Sequence, residues 1–150
     1  MKVYLAGAMA CYGSKSNEAK EWCEEVKKYF RKYSEFSKII SPVDYYSIGG
    51  DNSKKPSEIM RFDLRKVKES NLVLVNLKDL DESLGTSDEI LYAYMNEIPI
   101  IGFLQKENGL EELEVMNIIH PWKYEQIDRI ETGKDAMTKA MDYIIEFYDE

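Results

Sequence analysis

Leu72-Val73-Leu74-Val75-Asn76-Leu77 is an almost continuous apolar run. It lacks the alternation of a half-exposed strand, and it therefore predicts a central parallel strand that is covered on both faces. The segment Ser83-Leu84-Gly85-Thr86-Ser87-Asp88-Glu89 follows and predicts a turn into a helix. Its first backbone N–H groups would lie at the carboxyl edge of the sheet, where open α/β folds bind small ligands.

Apolar runs and helical patterns alternate along the rest of the chain. Further strands are predicted at 3–6, 37–41, 98–104 and 124–130, and helices at 17–33, 56–69, 86–96, 110–119 and 132–148. The segment 45–55 is polar and predicts a loop. This order predicts an α/β fold with one domain over residues 1–150: a doubly wound, Rossmann-like or flavodoxin-like parallel sheet of about five strands flanked by helices, with right-handed crossovers.

Composition excludes several classes of function. The chain has 150 residues and a formal net charge of −8, which disfavours binding to a nucleic acid polymer. Its apolar runs fall short of the roughly 18 residues that a membrane helix needs. The N-terminus starts a strand at once instead of showing a signal peptide, so we expect a cytoplasmic protein with no membrane partner.

The residues that usually hold metals and cofactors are scarce. His120 is the single histidine, and Cys11 and Cys23 do not form a CxxC pair. We therefore expect no metal site and no disulfide. The turn after the first strand, which contains Gly7, lacks the GxGxxG spacing, and no GxxxxGK[ST] motif occurs, so we expect no cofactor.

Two carboxylates are candidates for catalysis. Glu89 would lie in the first turn of the helix after the central strand, and Asp63 would lie in the preceding helix. A pair of carboxylates beside one crevice suits glycosidic chemistry, in which one attacks the anomeric carbon and another handles protons. Simpler interpretations stay open: Thr86-x-x-Glu89 fits a capping box, Gly85 fits a tight turn, and Asp63 fits a solvated helix surface.

Several segments together resemble the nucleoside 2-deoxyribosyltransferase family and its relatives, the 2′-deoxynucleoside 5′-phosphate N-hydrolases. The matching segments are Val3-Tyr4-Leu5-Ala6-Gly7, Asp63-Leu64-x-x-Val67-Lys68-x-x-Asn71, Gly85-Thr86-x-x-Glu89 and Ile98-Pro99-Ile100-Ile101. The similarity spans roughly residues 2–104. No single motif is specific, and the resemblance rests on their order and spacing.

The resemblance implies a role for each catalytic candidate. Glu89 would be the nucleophile, which attacks C1′ of the sugar, expels the base and forms a glycosyl ester. Asp63 would contact the substrate and assist proton handling. The hydroxyl of Tyr4 would orient the carboxylate of Glu89. A second nucleobase or water would then attack the ester, with overall retention of configuration.

Five residues are expected to contact the substrate: Gly7, Ser83, Gly85, Thr86 and Lys15. Free-nucleoside transferases of this family often carry Asp at the position of Ser83, whereas the monophosphate N-hydrolases carry a serine there that resembles a phosphate ligand. Against a phosphate, the arginine of the N-hydrolases' glycine loop is not reproduced, so Lys15 or Ser14 would have to replace it.

The prediction for function is cleavage of the N-glycosidic bond of 2′-deoxyribonucleosides or their 5′-monophosphates, through a glycosyl intermediate on Glu89. Transfer to another base and transfer to water both stay open. The alternative is a non-catalytic nucleotide-binding or sensing module on the same fold. The resemblance also implies a homo-oligomer, with residues near Asn117, His120 and Trp122 as candidates for completing a neighbouring site.

Overall fold

The computed structural model describes residues 1–8, 15–45 and 56–149, without the side chains of residues 15 and 16. Cys11, Ser14 and most of the predicted loop 45–55 lie outside the described residues. Within the described ranges there are five strands: β1 (Lys2–Gly7), β2 (Lys38–Ile40), β3 (Leu72–Asn76), β4 (Ile100–Gln105) and β5 (Arg129–Gly133). The same ranges contain six α-helices: α1 (Lys15–Tyr33), α2 (Pro56–Lys68), α3 (Leu84–Met95), α4 (Glu112–Ile118), α5 (Pro121–Gln126) and α6 (Ala136–Tyr148).

All five strands are parallel and stand in the order β2-β1-β3-β4-β5. The strand order therefore reverses between β1 and β3, which is the switch point where doubly wound sheets bind ligands. Gly7 pairs with Asn76 at the carboxyl edge of this junction. The predicted α/β fold is confirmed, including its number of strands.

Each face of the sheet is covered by a separate core. Val3, Leu5 and Leu74 point to the face that α1 and α6 cover. Tyr4 and Val75 point to the other face, where residues of α2, α3 and α4 pack. Because side chains alternate along a strand, β1 contributes to both cores, and Tyr4 brings a phenol into the second one.

The prediction of a last strand at 124–130 is wrong. His120 and Pro121 start helix α5 instead, because His120 Nδ1 accepts a hydrogen bond from the backbone N of Trp122 at 3.2 Å and Pro121 suits the first helical position. The strand begins only at Arg129, which pairs with Ile101. The predicted last helix correspondingly starts later, at Ala136.

The start of α3 also differs from the prediction. The helix begins at Leu84, two residues earlier than expected, since Ser83 is its N-cap. None of the helices within the described ranges is both long enough and apolar enough to cross a membrane.

Candidate active site

Ser83 and Thr86 shape the N-terminus of α3. Ser83 Oγ accepts a hydrogen bond from the backbone N of Thr86 at 3.4 Å and lies 2.6 Å from Thr86 Oγ1. The Ser83 carbonyl accepts from the backbone N of Ser87 at 3.1 Å. Ser83 is therefore the cap, and the capping box of Thr86 with Glu89 is wrong. Glu89 lies in the second turn, too far along the helix to cap it.

Glu89 points to the packed side of α3. Thr86, Ile90 and Ala93 form the buried stripe of this helix, and Glu89 lies beside it. Its Oε2 is buried, and no hydrogen bond to it is found among the described residues. A buried carboxyl oxygen without a donor is costly for the folded state. Such an atom is typical of a site that completes its hydrogen bonds with a ligand.

Three separate elements bring their polar groups to Glu89. Tyr4, from β1, is fully buried, and its hydroxyl acts on the carboxyl of Glu89 as a polar neighbour that lowers the pKa of that carboxyl. Asp63, from α2, acts on the same carboxyl through its negative charge, as does the neighbouring Asp88. Tyr4 and Asp63 are therefore near enough to Glu89 to change the pKa of its carboxyl.

The surroundings of Glu89 perturb its protonation strongly. Burial raises the pKa of its carboxyl from 4.5 to about 8, against the lowering effect of the Tyr4 hydroxyl, and the negative charges of Asp63 and Asp88 add to the rise. A group with a pKa near the working pH can be held protonated or ionised by small changes around it. The raised pKa makes Glu89 a candidate for an acid–base or nucleophilic group.

The two glycines with predicted substrate contacts have different surroundings. A Cβ on Gly7 would lie 2.9 Å from Trp22 and 3.2 Å from Cβ of Asn76, so packing requires this glycine. A Cβ on Gly85 would meet nothing within 4 Å. Gly85 is not among the residues with positive φ, and it lies inside α3, so neither a turn nor packing requires it. The bare backbone at Gly85 leaves open space at the helix N-terminus.

Two further residues singled out in the sequence, Lys15 and His120, lie outside α3. Lys15 is the first residue of α1, and the position of its side chain lies outside the described residues. His120 is exposed and caps α5. No group of three or more potential metal ligands occurs among the side chains that the structure describes.

A second concave surface lies on the outer side of α3. Ser87 and Leu91, together with Trp122 and Lys123 of α5, line a cavity of about 530 Å³. Lys123 Nζ donates a hydrogen bond to the carbonyl of Ser87 at 2.9 Å and so ties α5 to α3. At about 100° per residue, Ser87 and Leu91 lie on the side of the helix away from Glu89. Tyr4, Asp63 and Glu89 are not among the described residues that line this cavity, whereas Ser83 is.

Sequence reasoning missed two features of the site. Asp88 contributes a negative charge beside Glu89, although its position next to a candidate nucleophile was visible in the sequence. The role of Ser83 as N-cap was also missed, although serine is a preferred cap and three residues separate it from Thr86. The orphaned oxygen of Glu89 had no signal in the sequence, since it depends on burial against distant elements.

Comparison with known proteins defines the fold more sharply than the function. No family model and no curated protein matches the sequence. Among solved structures, a 2-deoxyribosyltransferase from Leishmania mexicana superposes with a TM-score of 0.70 at 12% identity, over 98% of each chain. A 2-deoxyribosyltransferase from Bacillus psychrosaccharolyticus gives 0.61 at 16% identity, over 95% of this chain and 92% of the other.

A CMP N-glycosidase from Clostridium botulinum has the same fold, with a TM-score of 0.60 at 16% identity, over 98% of this chain and all of the other. The class defined by the fold is therefore a doubly wound parallel α/β protein. Within that class, the chain shares its architecture with nucleoside 2-deoxyribosyltransferases and an N-glycosidase, so the resemblance seen in the sequence is confirmed at the level of the fold.

Proposed function

We propose that this protein cleaves the N-glycosidic bond of 2′-deoxyribonucleosides or their 5′-monophosphates, with Glu89 as the nucleophile. The observation that carries the proposal is the buried carboxyl of Glu89, whose Oε2 has no donor among the described residues and which Tyr4 and Asp63 approach from two other elements. A fold alone supports many chemistries, but this constellation supports a particular one.

The chemistry proceeds in two displacements. The ionised carboxylate of Glu89 attacks C1′ as the C1′–N bond breaks, and the bonding electrons leave with the base, which takes up a proton. Water or a second base then attacks C1′, releases the carboxylate and gives up a proton. Tyr4 holds the carboxylate in place, and Asp63 contacts the substrate and assists the proton transfers. Neither displacement needs a metal or an organic cofactor.

The neighbours in the structural comparison support this reaction class. Two are named as 2-deoxyribosyltransferases and one as a CMP N-glycosidase. All three names describe enzymes that act on the bond between a sugar and a base. We assign the same bond to this chain, which acts as one functional unit over residues 1–150. A cytoplasmic location stays a prediction.

The N-terminus of α3 supports a 5′-monophosphate over a free nucleoside. Ser83 and Thr86 share one hydrogen bond between their hydroxyls, which occupies one O–H and leaves the other to donate. The first N–H groups of the helix and the open space at Gly85 adjoin this pair of hydroxyls. We assign the phosphate to Ser83, Gly85 and Thr86, with Lys15 and Gly7 at the edge of the substrate.

The decisive experiment is a panel of deoxynucleosides and their monophosphates, with and without acceptor bases, assayed by chromatography for free base. We expect base release by the wild type and none by Glu89→Gln. Equal activity of Glu89→Gln, or no base release from any substrate, would contradict the proposal. Ser83→Ala should weaken monophosphates selectively, and an equal loss for free nucleosides would overturn the phosphate assignment.

One observation favours a second candidate, a non-catalytic nucleotide-binding module. With a pKa of about 8, Glu89 is mainly protonated at neutral pH, and a neutral carboxyl can donate a hydrogen bond to a ligand but attacks poorly. The same panel separates the two candidates. Saturable binding without base release between pH 6 and 9 would establish the module instead of the enzyme.

We also propose that the chain forms a homodimer through the outer side of α3. Leu84 and Trp122 are 78% and 75% exposed, and Leu91, Tyr94 and Met95 extend the apolar stripe along the helix. Trp122 stands at the rim of the 530 Å³ cavity, so one surface carries both a projecting indole and a recess. A surface that carries both parts suits a two-fold contact with a second copy of itself.

Sedimentation velocity tests the dimer. We expect the wild type to sediment as a dimer at micromolar concentration, and we expect Leu84→Glu and Trp122→Ser to be monomers. Lys139→Glu, an exposed change on α6, should stay dimeric and serves as the control. A monomeric wild type, or a dimer that survives both substitutions, would contradict this interface.

A further inference from the structure

A cavity of about 630 Å³ lies above the carboxyl ends of β3 and β4, and we call it the carboxyl-edge cavity. Its walls come from α1, from the segment 77–82 and from single residues of α4 and α6. Tyr4, Asp63 and Glu89 are not among the described residues that line it. Ligands of open α/β folds bind at this edge of the sheet, and small-molecule sites have roughly 300–1,000 Å³ of space.

Two side-chain amides, those of Asn76 and Gln105, line this cavity from the ends of β3 and β4. Asn76 is in register with Phe103, and Gln105 is two residues further along β4. Side chains alternate along a strand, so Asn76, Phe103 and Gln105 point to the face of the sheet that α1 covers. The two amides therefore reach the cavity from the same side of the sheet, beside Trp22 of α1.

The amide of Asn76 has a fixed orientation. Its Oδ1 accepts a hydrogen bond from the backbone N of Lys78 at 3.1 Å. Its Nδ2 therefore faces away from that backbone and presents two N–H donors. Trp22 and Phe103 meet edge to face at 5.8 Å on the same side of the sheet. Amides recognise the donor and acceptor edge of a planar heterocycle, as asparagine and glutamine do with adenine, and aromatic rings pack against such a heterocycle.

The charges around the cavity favour a ligand that carries amino groups. Two lysines line it, and one of them, Lys78, is ion-paired with Glu18 of α1. The carboxylates outnumber the lysines and are those of Glu18, Glu25, Asp79, Asp81 and Glu82. The side chains that the structure describes include no group of three or more potential metal ligands, so these carboxylates are spread around the cavity. Such a field repels a phosphate and attracts N–H donors.

We propose that the carboxyl-edge cavity binds a free nucleobase that carries an amino group, such as adenine or cytosine. The ring of the base packs beside the two aromatic rings, its edge pairs with the two amides, and its amino group donates to the surrounding carboxylates. This inference goes beyond the proposed function and rests on it in one respect, since the proposed reaction releases a free base. The segment 77–82 leads directly into Ser83, the N-cap of α3, so a bound base lies against the chain that positions this helix.

Calorimetric titration of the Glu89→Gln protein tests where the base binds, because this variant lacks the nucleophile. The probes are adenine, cytosine, uracil and thymine, each with and without saturating thymidine 5′-monophosphate, whose base carries no amino group. We expect adenine and cytosine to bind with unchanged affinity beside the nucleotide, and at least about threefold more tightly than uracil and thymine. Displacement of adenine by the nucleotide, or equal binding of all four bases, would overturn the inference.

Leucine substitutions at the two amides locate the base within the protein. Asn76→Leu and Gln105→Leu each remove an amide and keep a side chain of similar length, and each should weaken adenine binding at least about threefold. Gln105 is exposed, so its variant should melt like the wild type and keeps the test valid if Asn76→Leu fails to fold. Asn108→Leu, an exposed change away from the cavity lining, is the matched control and should bind adenine normally. Normal adenine binding by Gln105→Leu would overturn the inference.

The base-release assay separates this inference from the proposed function. Base release by the wild type, together with no binding of adenine or cytosine, would overturn the inference and leave the proposed function intact. Adenine binding that depends on the two amides, in a protein that releases no base from any substrate, would support the cavity and overturn the proposed function.

Discussion

The two faces of the sheet differ in the side chains that they bury. The face under α1 and α6 is filled by apolar side chains such as Leu5, Trp22 and Phe103, and the Trp22 and Phe103 rings meet edge to face at 5.8 Å. The face under α2 and α3 contains a buried tyrosine, Tyr4, and the buried oxygen of Glu89. Both faces stabilise the fold through apolar cores, but the second also buries a polar group at a cost in stability. Substitutions on the two faces should therefore have opposite effects.

The largest expected effect is on activity. Glu89→Gln should lower kcat at least about 10³-fold, because the amide cannot form the glycosyl ester. Asp88→Asn is the matched control, since it changes an exposed carboxylate on the preceding residue of the same helix. We expect it to retain activity within a few-fold in a base-release assay. An Asp88→Asn defect as large as that of Glu89→Gln would show that the loss is not specific to the Glu89 carboxyl.

Glu89→Gln should also be more stable than the wild type at high pH. The folded-state pKa of Glu89 is about 8, above its ordinary value of 4.5, so between these pH values the folded carboxyl keeps a proton that the unfolded one has lost. The contribution of Glu89 to stability therefore falls as pH rises, by up to about 1.4 kcal/mol per pH unit, and is constant above pH 8.

Thermal melting of both proteins from pH 5 to pH 9 measures this effect. The Tm of Glu89→Gln should exceed that of the wild type increasingly between pH 5 and pH 8. Parallel Tm curves for the two proteins would show that Glu89 is not held protonated in the folded state.

Tyr4→Phe should shift the pH dependence of catalysis. Its hydroxyl lowers the pKa of Glu89, so removing it should raise that pKa further, by roughly one unit for a hydrogen bond to a charged group. The rise of kcat/KM with pH should move to higher pH by the same amount, and activity at pH 7 should fall about tenfold. An unchanged profile with a uniformly lower rate would mean that Tyr4 acts only through packing.

Alanine substitutions at the two glycines should have effects of different kinds. Gly7→Ala should lower the free energy of unfolding by about 1–3 kcal/mol, because its Cβ would press on Trp22 and Asn76. Gly85→Ala should leave stability unchanged or raise it by up to about 1 kcal/mol, because alanine is the better helix former. It should instead lower kcat/KM roughly tenfold or more by displacing the substrate.

Urea unfolding and steady-state kinetics on both glycine variants check this contrast. A Gly85→Ala protein with normal kinetics would show that the open space at Gly85 is not where substrate binds.

The parts of the fold that the sequence predicts are those with strong local signals. The apolar run at Leu72–Asn76 and the proline at Pro56 identified β3 and the start of α2 correctly. The last strand was misplaced because the apolar residues from Tyr124 to Ile130 do not show where α5 ends and β5 begins. That boundary depends on pairing with Ile101, a partner far away in the chain.

The site was predictable in its residues but not in its electrostatics. The resemblance implied catalytic roles for Glu89, Asp63 and Tyr4 from their order and spacing. In the fold, Asp63 and Tyr4 are near enough to Glu89 to affect its pKa. The capping role of Ser83 had a local signal, since serine is a preferred cap, but the start of α3 was placed two residues too late. The raised pKa of Glu89 could not be deduced, because it depends on burial against elements that are distant in sequence.

In the proposed reaction the carboxyl of Glu89 attacks C1′ of the sugar. Acid quenching during turnover of a deoxyribonucleotide, followed by proteolysis and mass spectrometry, detects the resulting ester. We predict that the peptide containing Glu89 gains the mass of one glycosyl group, and that the adduct is absent in Glu89→Gln. Base release by the wild type with the adduct on another residue, or an adduct that persists in Glu89→Gln, would contradict the claim.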